Sequence, residues 1–432
     1  MATPRSTPPA AGPRPLPAIG RAFPGVFYGW VIVGGSALQS AVGVGVGFYT
    51  LTVLLDALVE QRGWSRDTVA GASTLYFLMS ALSGTWVGRM VDRFGARRFI
   101  FAGVLLMSAA LIWIGRIREP EQLFLAYPAM GLGLALLGGI PLNAIIARWF
   151  VEKRALALSL SQTGVSVGGV VIVPFATWLF HAHGLEIGTL VLALLVLVGS
   201  LPVIGFVLRF DPVGHGLAPD GQDPAARVAS RASQRAQRRW GTREVLRTSA
   251  FWTLAAVYSL VLFGQQGVLV HQLTYLRERL SPGLASLAVA TSPAMSIVGR
   301  LIAGQLADRI DKRSVVLGLG VIQCAGLFLL SASTGPVGLC AGSALFGLTI
   351  GSFFMMQALM VAELFGVASF GSVSGLLGLV VQTSGALGPF AIAWLSGRLS
   401  GGYPLVFTGL ALSNLLAVAL ITRLRAPADA LA

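Results

Sequence analysis

Twelve stretches of mostly apolar residues follow one another along this chain, each about long enough to cross a hydrocarbon core of ~30 Å as a helix. They run roughly Tyr28 to Ala57, Thr68 to Met90, Arg98 to Gly115, Leu123 to Ile146, Ala155 to Phe180 and Ile187 to Leu208. After a polar interval come Ala250 to Leu273, Leu284 to Ala307, Ser314 to Ser333, Val337 to Leu359, Val373 to Leu395 and Pro404 to Thr422. Strand-like alternation is nowhere sustained, which argues against a membrane barrel. Only 11% of residues are charged, against about 25% in soluble proteins. Too few hydrated groups remain to cover a water-exposed surface, so the lipid bilayer is the expected solvent.

The charges set an orientation. With both termini in the cytoplasm, 23 Lys and Arg face that side, 7 face the other, and Arg300 is left inside a span. Positive charge concentrated on one side marks that side as cytoplasmic. The +14 net charge is then a feature of one membrane face and no sign of nucleic-acid binding. Prolines 4, 8, 9, 13, 15 and 17 stand where a signal peptide would have its apolar core. Cys324 and Cys340 lie in apolar runs, and the four histidines form no ligand pattern. No metal, cofactor or disulfide framework is expected, and no nucleophile and base fall at a common depth, so the chain does not read as an enzyme.

The expected organisation is a disordered tail (1–25), a six-helix bundle (26–210), a cytoplasmic linker (211–247), a second six-helix bundle (248–424) and a short tail (425–432). Within the linker, Arg227, Arg231, Arg235, Arg238 and Arg239 fall largely on one helical side. They suit anionic headgroups or a solvated orienting loop.

One motif occurs twice. Gly88-Arg-Met-Val-Asp92-Arg93-Phe-Gly95-Ala-Arg97 follows span two, and Gly304-Gln-Leu-Ala-Asp308-Arg309 follows span eight, 216 residues later. Pro174-Phe-Ala and Pro389-Phe-Ala, in spans five and eleven, repeat at an offset of 215. A constant offset near half the chain length indicates two homologous halves. In each copy the glycine lets two helices approach, and the acid suits the partial positive charge of a neighbouring helix N-terminus. Such a contact can latch one conformation and break in another.

These motifs within twelve spans resemble the major facilitator superfamily, over about Tyr28 to Arg423. Within it the chain is most similar to the monocarboxylate transporter and oxalate/formate antiporter group. That likeness rests on Tyr28-Gly29-Trp30, Gly63-Trp64-Ser65-Arg66, Arg148-Trp149-Phe150 with Lys153-Arg154, and Arg300-Leu-Ile-Ala-Gly304. The resemblance implies an all-α membrane protein of two pseudo-symmetric six-helix bundles that rock about a central cavity, giving alternating access without ATP.

Arg300 lies eight residues before Asp308, about 12 Å into the membrane at 1.5 Å per residue. An arginine there costs ~2.5 to 3.5 kcal/mol, so it needs water, an acid, a carbonyl or an anionic ligand. A guanidinium fork suits a carboxylate, and a single buried cation balances one negative charge. The resembling oxalate/formate antiporters place a lysine in span eleven, where this chain has Gln382 and Thr383, so a monocarboxylate fits better than oxalate. The lysine that the family implies in span one falls at Tyr49, and the acid implied four residues before the arginine is Ser296. Ser296 is expected to hydrogen-bond Arg300 at i, i+4.

His271 and Asp56, near the outer mouth, are the candidates for proton coupling or gating. Their plainer roles are an interfacial polar residue and a solvated helix-end acid. Asn143, Gln162, Gln265, Gln266, Tyr275 and Gln382 are candidates for the cavity or for helix pairing, and Phe354 for an apolar wall. The expected function is proton-coupled symport of a small monocarboxylate by a monomer in a prokaryotic inner membrane. The alternatives are organic-anion exchange and proton-driven drug export. Export is disfavoured because no acid is central and span five reads Gly164-Val-Ser-Val-Gly168-Gly169.

Overall fold

Every regular element in the computed structural model, which describes residues 25–221 and 239–424, is helical. The spans are numbered α1 to α12 in step with the apolar runs. In the first half, α1 is Tyr28–Arg62, α3 Ala96–Arg116 and α4 Pro120–Trp149. The segment Arg154–Val207 holds both α5 and α6, which part at Gly184, where φ is 76°. In the second half, α7 is Ser249–Arg277, α9 Lys312–Ala332, α10 Pro336–Phe365 and α12 Gly402–Thr422. α8 is Pro282–Ala307 and α11 Phe370–Arg398. The remaining span, α2 (Arg66–Phe94), carries charges near both ends that lower its mean hydropathy. Together they make the two six-helix bundles of the expected fold.

Local chemistry sets the breaks. Gly63 ends α1 at φ 69°, a backbone geometry that costs a residue with a side chain more. Ser65 then opens α2 by accepting the Thr68 N–H at 3.1 Å. α1 and α10 run five and six residues past their apolar stretches: the last turns of α1 bury one face and hydrate the other, while those of α10 are buried except at Glu363. Inside α1, Ser40–Tyr49 is wound as a π-helix, a form found mostly as short insertions at functional sites.

Glycines bring the helices close. The Gly164 and Gly168 face of α5 lies against Ala37, Ala41 and Gly45 of α1, and the Gly45 Cα leaves only 2.9 Å for a Cβ at 168. Small residues at such contacts let dispersion and polar contacts replace the missing hydrophobic drive.

The halves meet through two reciprocal latches on the face that carries both ends of the helical region. Asp92 accepts the backbone N–H groups of Gly371 (3.0 Å) and Ser372 (2.7 Å) and the Ser372 hydroxyl (2.8 Å), at the start of α11. Asp308 accepts the N–H groups of Ala155 (2.8 Å) and Leu156 (2.9 Å), at the start of α5. Gly371 follows Ala155 by 216 residues, as Asp308 follows Asp92, so each half offers its acid to the other half's helix N-terminus. The glycines obey the same relation. A side chain on Gly88 would overlap the Gly371 carbonyl, and one on Gly304 would reach the Ser159 Cβ at 2.8 Å. Burial pushes the Asp308 carboxyl above its ordinary range, while the two N–H donors and Lys312 pull it back.

The latches differ in their cations. Arg148 stands 3.9 Å from Asp92 with its guanidinium over the Phe210 ring, whereas Lys312 pairs with Glu363 at 2.9 Å. Of the other motif residues, Arg93 lies over Phe94, Gly95 turns the chain at φ 85°, Arg97 donates to the Gly205 carbonyl at 3.1 Å, and Arg309 is exposed.

In the linker, Asp220 caps the approach to α5 by accepting the N–H groups of Val151 (2.7 Å) and Glu152 (2.9 Å). A short helix, Thr242–Arg247, leads into α7. Arg227, Arg231, Arg235, Arg238 and the expected tails, apart from Gly25, lie outside the described residues.

Replacing Asp92 with Asn removes a charged acceptor from a helix N-terminus, worth about 1–2 kcal/mol. The population with separated latches is expected to rise roughly 5- to 30-fold. Distances between spin labels at the exposed positions 98 and 311 measure it, and an unchanged distribution counts against the latch.

Candidate functional site

The second copy of the motif fixes the height of Arg300, because Asp308 holds the end of α8 at the latched face. Arg300 is 6% exposed. Its Nη1 makes a short hydrogen bond to the backbone carbonyl of Gln162 in α5, so the cation crosses from one half to the other. Its Nε is buried and has no hydrogen-bond partner among the described residues. A guanidinium in this setting keeps a donor to spare where water is excluded, and that donor suits an anion.

Three further groups surround it. Tyr49, the last residue of the π-helical stretch of α1, interacts electrostatically with Arg300. Its ring lies against Gly169 of α5, where a Cβ would be 2.8 Å from the ring. Gln162 donates its side-chain Nε2 to Asn143 Oδ1 of α4 at 3.2 Å. Asn143, Gln162 and Arg300 thus form one connected polar group drawn from both halves. Ser296 departs from expectation, since its hydroxyl accepts the Gly351 N–H of α10 at 3.0 Å. The hydroxyl serves a backbone donor of α10 instead of forming the i, i+4 bond to Arg300.

The other candidates fall elsewhere. Gln265 is buried and donates to Gln323 of α9 at 3.2 Å. With Phe354, Tyr258 and Gln357 it lines a small cavity inside the second half. Tyr275 is buried, with its hydroxyl on the Leu330 carbonyl and its ring on Phe407, so the structure does not bring it to Arg300. His271 joins three helices, with Nδ1 3.1 Å from the Tyr403 hydroxyl and Nε2 2.9 Å from the Pro389 carbonyl. Asp56 is exposed beside a groove shared by Thr52, Glu60, Thr177 and His181. Gln382 is exposed on α11.

Two participants have no mark in the sequence. The Gln162 backbone carbonyl is a group that every residue carries, and Gly351 is one of 54 glycines.

Comparison with known proteins agrees with this architecture. The chain matches the family model described as Major Facilitator Superfamily over residues 37–280 and 268–431. It is 26% identical over 325 residues to the oxalate:formate antiporter of Oxalobacter formigenes, covering 74% of each chain. It is also 26% identical over 392 residues to monocarboxylate transporter 13 of Bos taurus, covering 88% of this chain and 85% of that one. The E. coli transporter FucP in its outward conformation is similar in fold, with a TM-score of 0.69 at 15% identity, covering 93% of this chain and 99% of that one.

The Tyr49 ring packs on Gly169, and the contributions of ring and hydroxyl separate by substitution. Tyr49→Phe is expected to leave unfolding in detergent nearly unchanged. Tyr49→Ala is expected to cost about 2–3 kcal/mol, at or below the low end for removing a buried ring. Equal destabilisation by both would place the hydroxyl in the packing.

Proposed function

The chain belongs to the major facilitator superfamily, and from that premise we propose that it carries a small monocarboxylate across the membrane by alternating access. Arg300 is the group that holds the carboxylate. The observation that carries this reading is the buried guanidinium, which bonds a backbone carbonyl through one nitrogen and keeps an unpartnered Nε. A carboxylate replaces a neutral acceptor with a charged one, and charge-assisted hydrogen bonds are roughly twice as strong. One cation and one carboxylate make a neutral pair, whereas a dianion would leave net charge in a low-dielectric centre. The relatives named for oxalate, formate and monocarboxylates support a carboxylate as cargo.

The surplus of Lys and Arg assigns the latched face to the cytoplasm, in an inner membrane. With that face held shut, the site is reached from outside. Asp92 and Asp308, with Gly88, Gly304 and their neighbouring cations, act as the releasable closure. Proton coupling rests on His271 and Asp56 in the outer half, because Ser296 cannot carry charge. Exchange of organic anions is the second reading. It is favoured by the make-up of the centre, where the bonded side chains of Asn143, Gln162 and Arg300 include no carboxylate or imidazole to take up a proton. Drug export has less support, since the connected polar group contains no acid to attract a cation.

The test is thermal stabilisation of purified protein by formate, acetate, lactate, benzoate, oxalate and uncharged analogues, in wild type and Arg300→Gln. A ligand of the folded state at 100 times its Kd stabilises by about 2.7 kcal/mol. A monocarboxylate is expected to raise the melting temperature by several degrees in wild type and to have no effect in the variant. Retained stabilisation and flux in folded Arg300→Gln would remove Arg300 from the site. In proteoliposomes, uptake driven by a pH gradient separates symport from uptake that needs an anion inside.

A further inference from the structure

The slot that holds the Arg300 guanidinium is cut into α10 at Gly351. A Cβ built on Gly351 would overlap Nη2 and Nε of Arg300 and come within 2.6 Å of Ser296 Oγ. α8 and α10 pack backbone to backbone beside it. One turn away, a side chain on Gly299 would overlap the Leu348 carbonyl, and one on Gly347 would reach the Ser292 Cα at 2.6 Å. The Gly351 N–H is also held by Ser296 Oγ at 3.0 Å. On its other side the guanidinium is fixed by Nη1 on the Gln162 carbonyl. Among these glycines Gly351 differs in kind. Gly299 and Gly347 make room for backbone, whereas Gly351 makes room for the cation.

We propose that Gly351 is a positioning residue for substrate binding, through the berth it gives the Arg300 guanidinium. The proposal rests on the reading of Arg300 as the carboxylate anchor. Nε and Nη2 are the guanidinium atoms nearest Gly351 of α10, and Nη1 bonds the Gln162 carbonyl of α5, so the guanidinium is held between the two helices. Adding a methyl group at 351 displaces those two nitrogens. Ser296 can rotate its hydroxyl into another staggered well, whereas a shift of the guanidinium works against its bond to the Gln162 carbonyl. A lysine at 300 lacks Nη2, the atom the added methyl would approach most closely, and meets the methyl only through the Cε that takes the place of Nε.

A double-mutant cycle tests this on the full chain in detergent, with wild type, Gly351→Ala, Arg300→Lys and the double variant. The probe is whichever of formate, acetate, lactate and benzoate stabilises wild type most, with Kd read from the concentration dependence of melting. Gly351→Ala is expected to weaken binding roughly tenfold in the arginine background, as a sub-ångström to ångström misplacement does, and by a clearly smaller factor in the lysine background, where Nη2 is gone. In proteoliposomes the loss is expected in KM rather than in maximal rate. Equal losses in both backgrounds would mean ordinary helix packing, and a Gly351→Ala Kd near wild type would mean no berth, so either overturns the proposal. Should Gly351→Ala fail to fold, a folded double variant supports the berth and an unfolded one overturns it. Failure of the anchor reading looks different. There Arg300→Lys and Arg300→Gln bind as wild type does, or no carboxylate stabilises any variant, and both readings fall together.

Discussion

A charge in the middle of a membrane must be answered locally, and in this protein one guanidinium is answered by both halves at once. Arg300 belongs to α8, its carbonyl partner to α5, its electrostatic neighbour Tyr49 to α1 and its berth to α10. The arginine alone would oppose insertion by a few kcal/mol. What makes it tolerable is a set of contacts that exists only when the two bundles are together. The centre is thus part of the interface between the halves as well as a place for a ligand.

The remainder of that interface is built from exchange. Each half gives a carboxylate to the other's helix N-terminus, where unpaired N–H groups and the helix dipole converge. Each half also gives a glycine that lets the backbones approach closely enough for the carboxylate to reach. A latch of this kind holds by a few charge-assisted hydrogen bonds at the membrane surface. It can open without exposing unpaired groups, because water replaces the carboxylate at the N–H groups. A latch made of close-packed apolar side chains would have no such substitute. The asymmetry in cations, Arg148 beside Asp92 but Lys312 on Glu363, makes the two closures unequal in what must be broken.

Most of this architecture was legible in the sequence, for identifiable reasons. Hydrocarbon thickness sets the length of each run, so twelve spans can be counted from composition alone. The repeated Gly-x-x-x-Asp-Arg gives the pseudo-symmetry, and its offset of 216 recurs between the acceptors and the donors they meet. Arg300 stands out because a charge in an apolar run is rare. The partners of Arg300 were not legible, since a backbone carbonyl has no letter of its own and a glycine in a glycine-rich chain carries no label. Helix rotation decides the rest. Tyr275 and Gln265 sit in apolar runs as plausibly as Asn143 does, yet they turn to Leu330 and Gln323 within one bundle. Ser296 was placed beside Arg300 correctly by helical spacing, but its bond runs to α10, which no local rule could supply.

The carbonyl of Gln162 and a substrate carboxylate are alternative answers to the same charge, and they are not equal alternatives. A helical carbonyl has two lone pairs and keeps its intrahelical bond when the arginine leaves, so releasing it costs little. The guanidinium has no such reserve, because with Nε already unpartnered the loss of the carbonyl strips it of its one bond to α5. In the proposed cycle the empty protein therefore keeps its halves tied through Arg300, while a loaded one has its cation satisfied by cargo that can travel with either half. Binding energy is then spent on loosening the bundle interface rather than on tightening a pocket. A carrier built this way resists reorienting empty and moves when its charge is matched, which is the behaviour that exchange of anions requires and coupled uptake must overcome on the empty return.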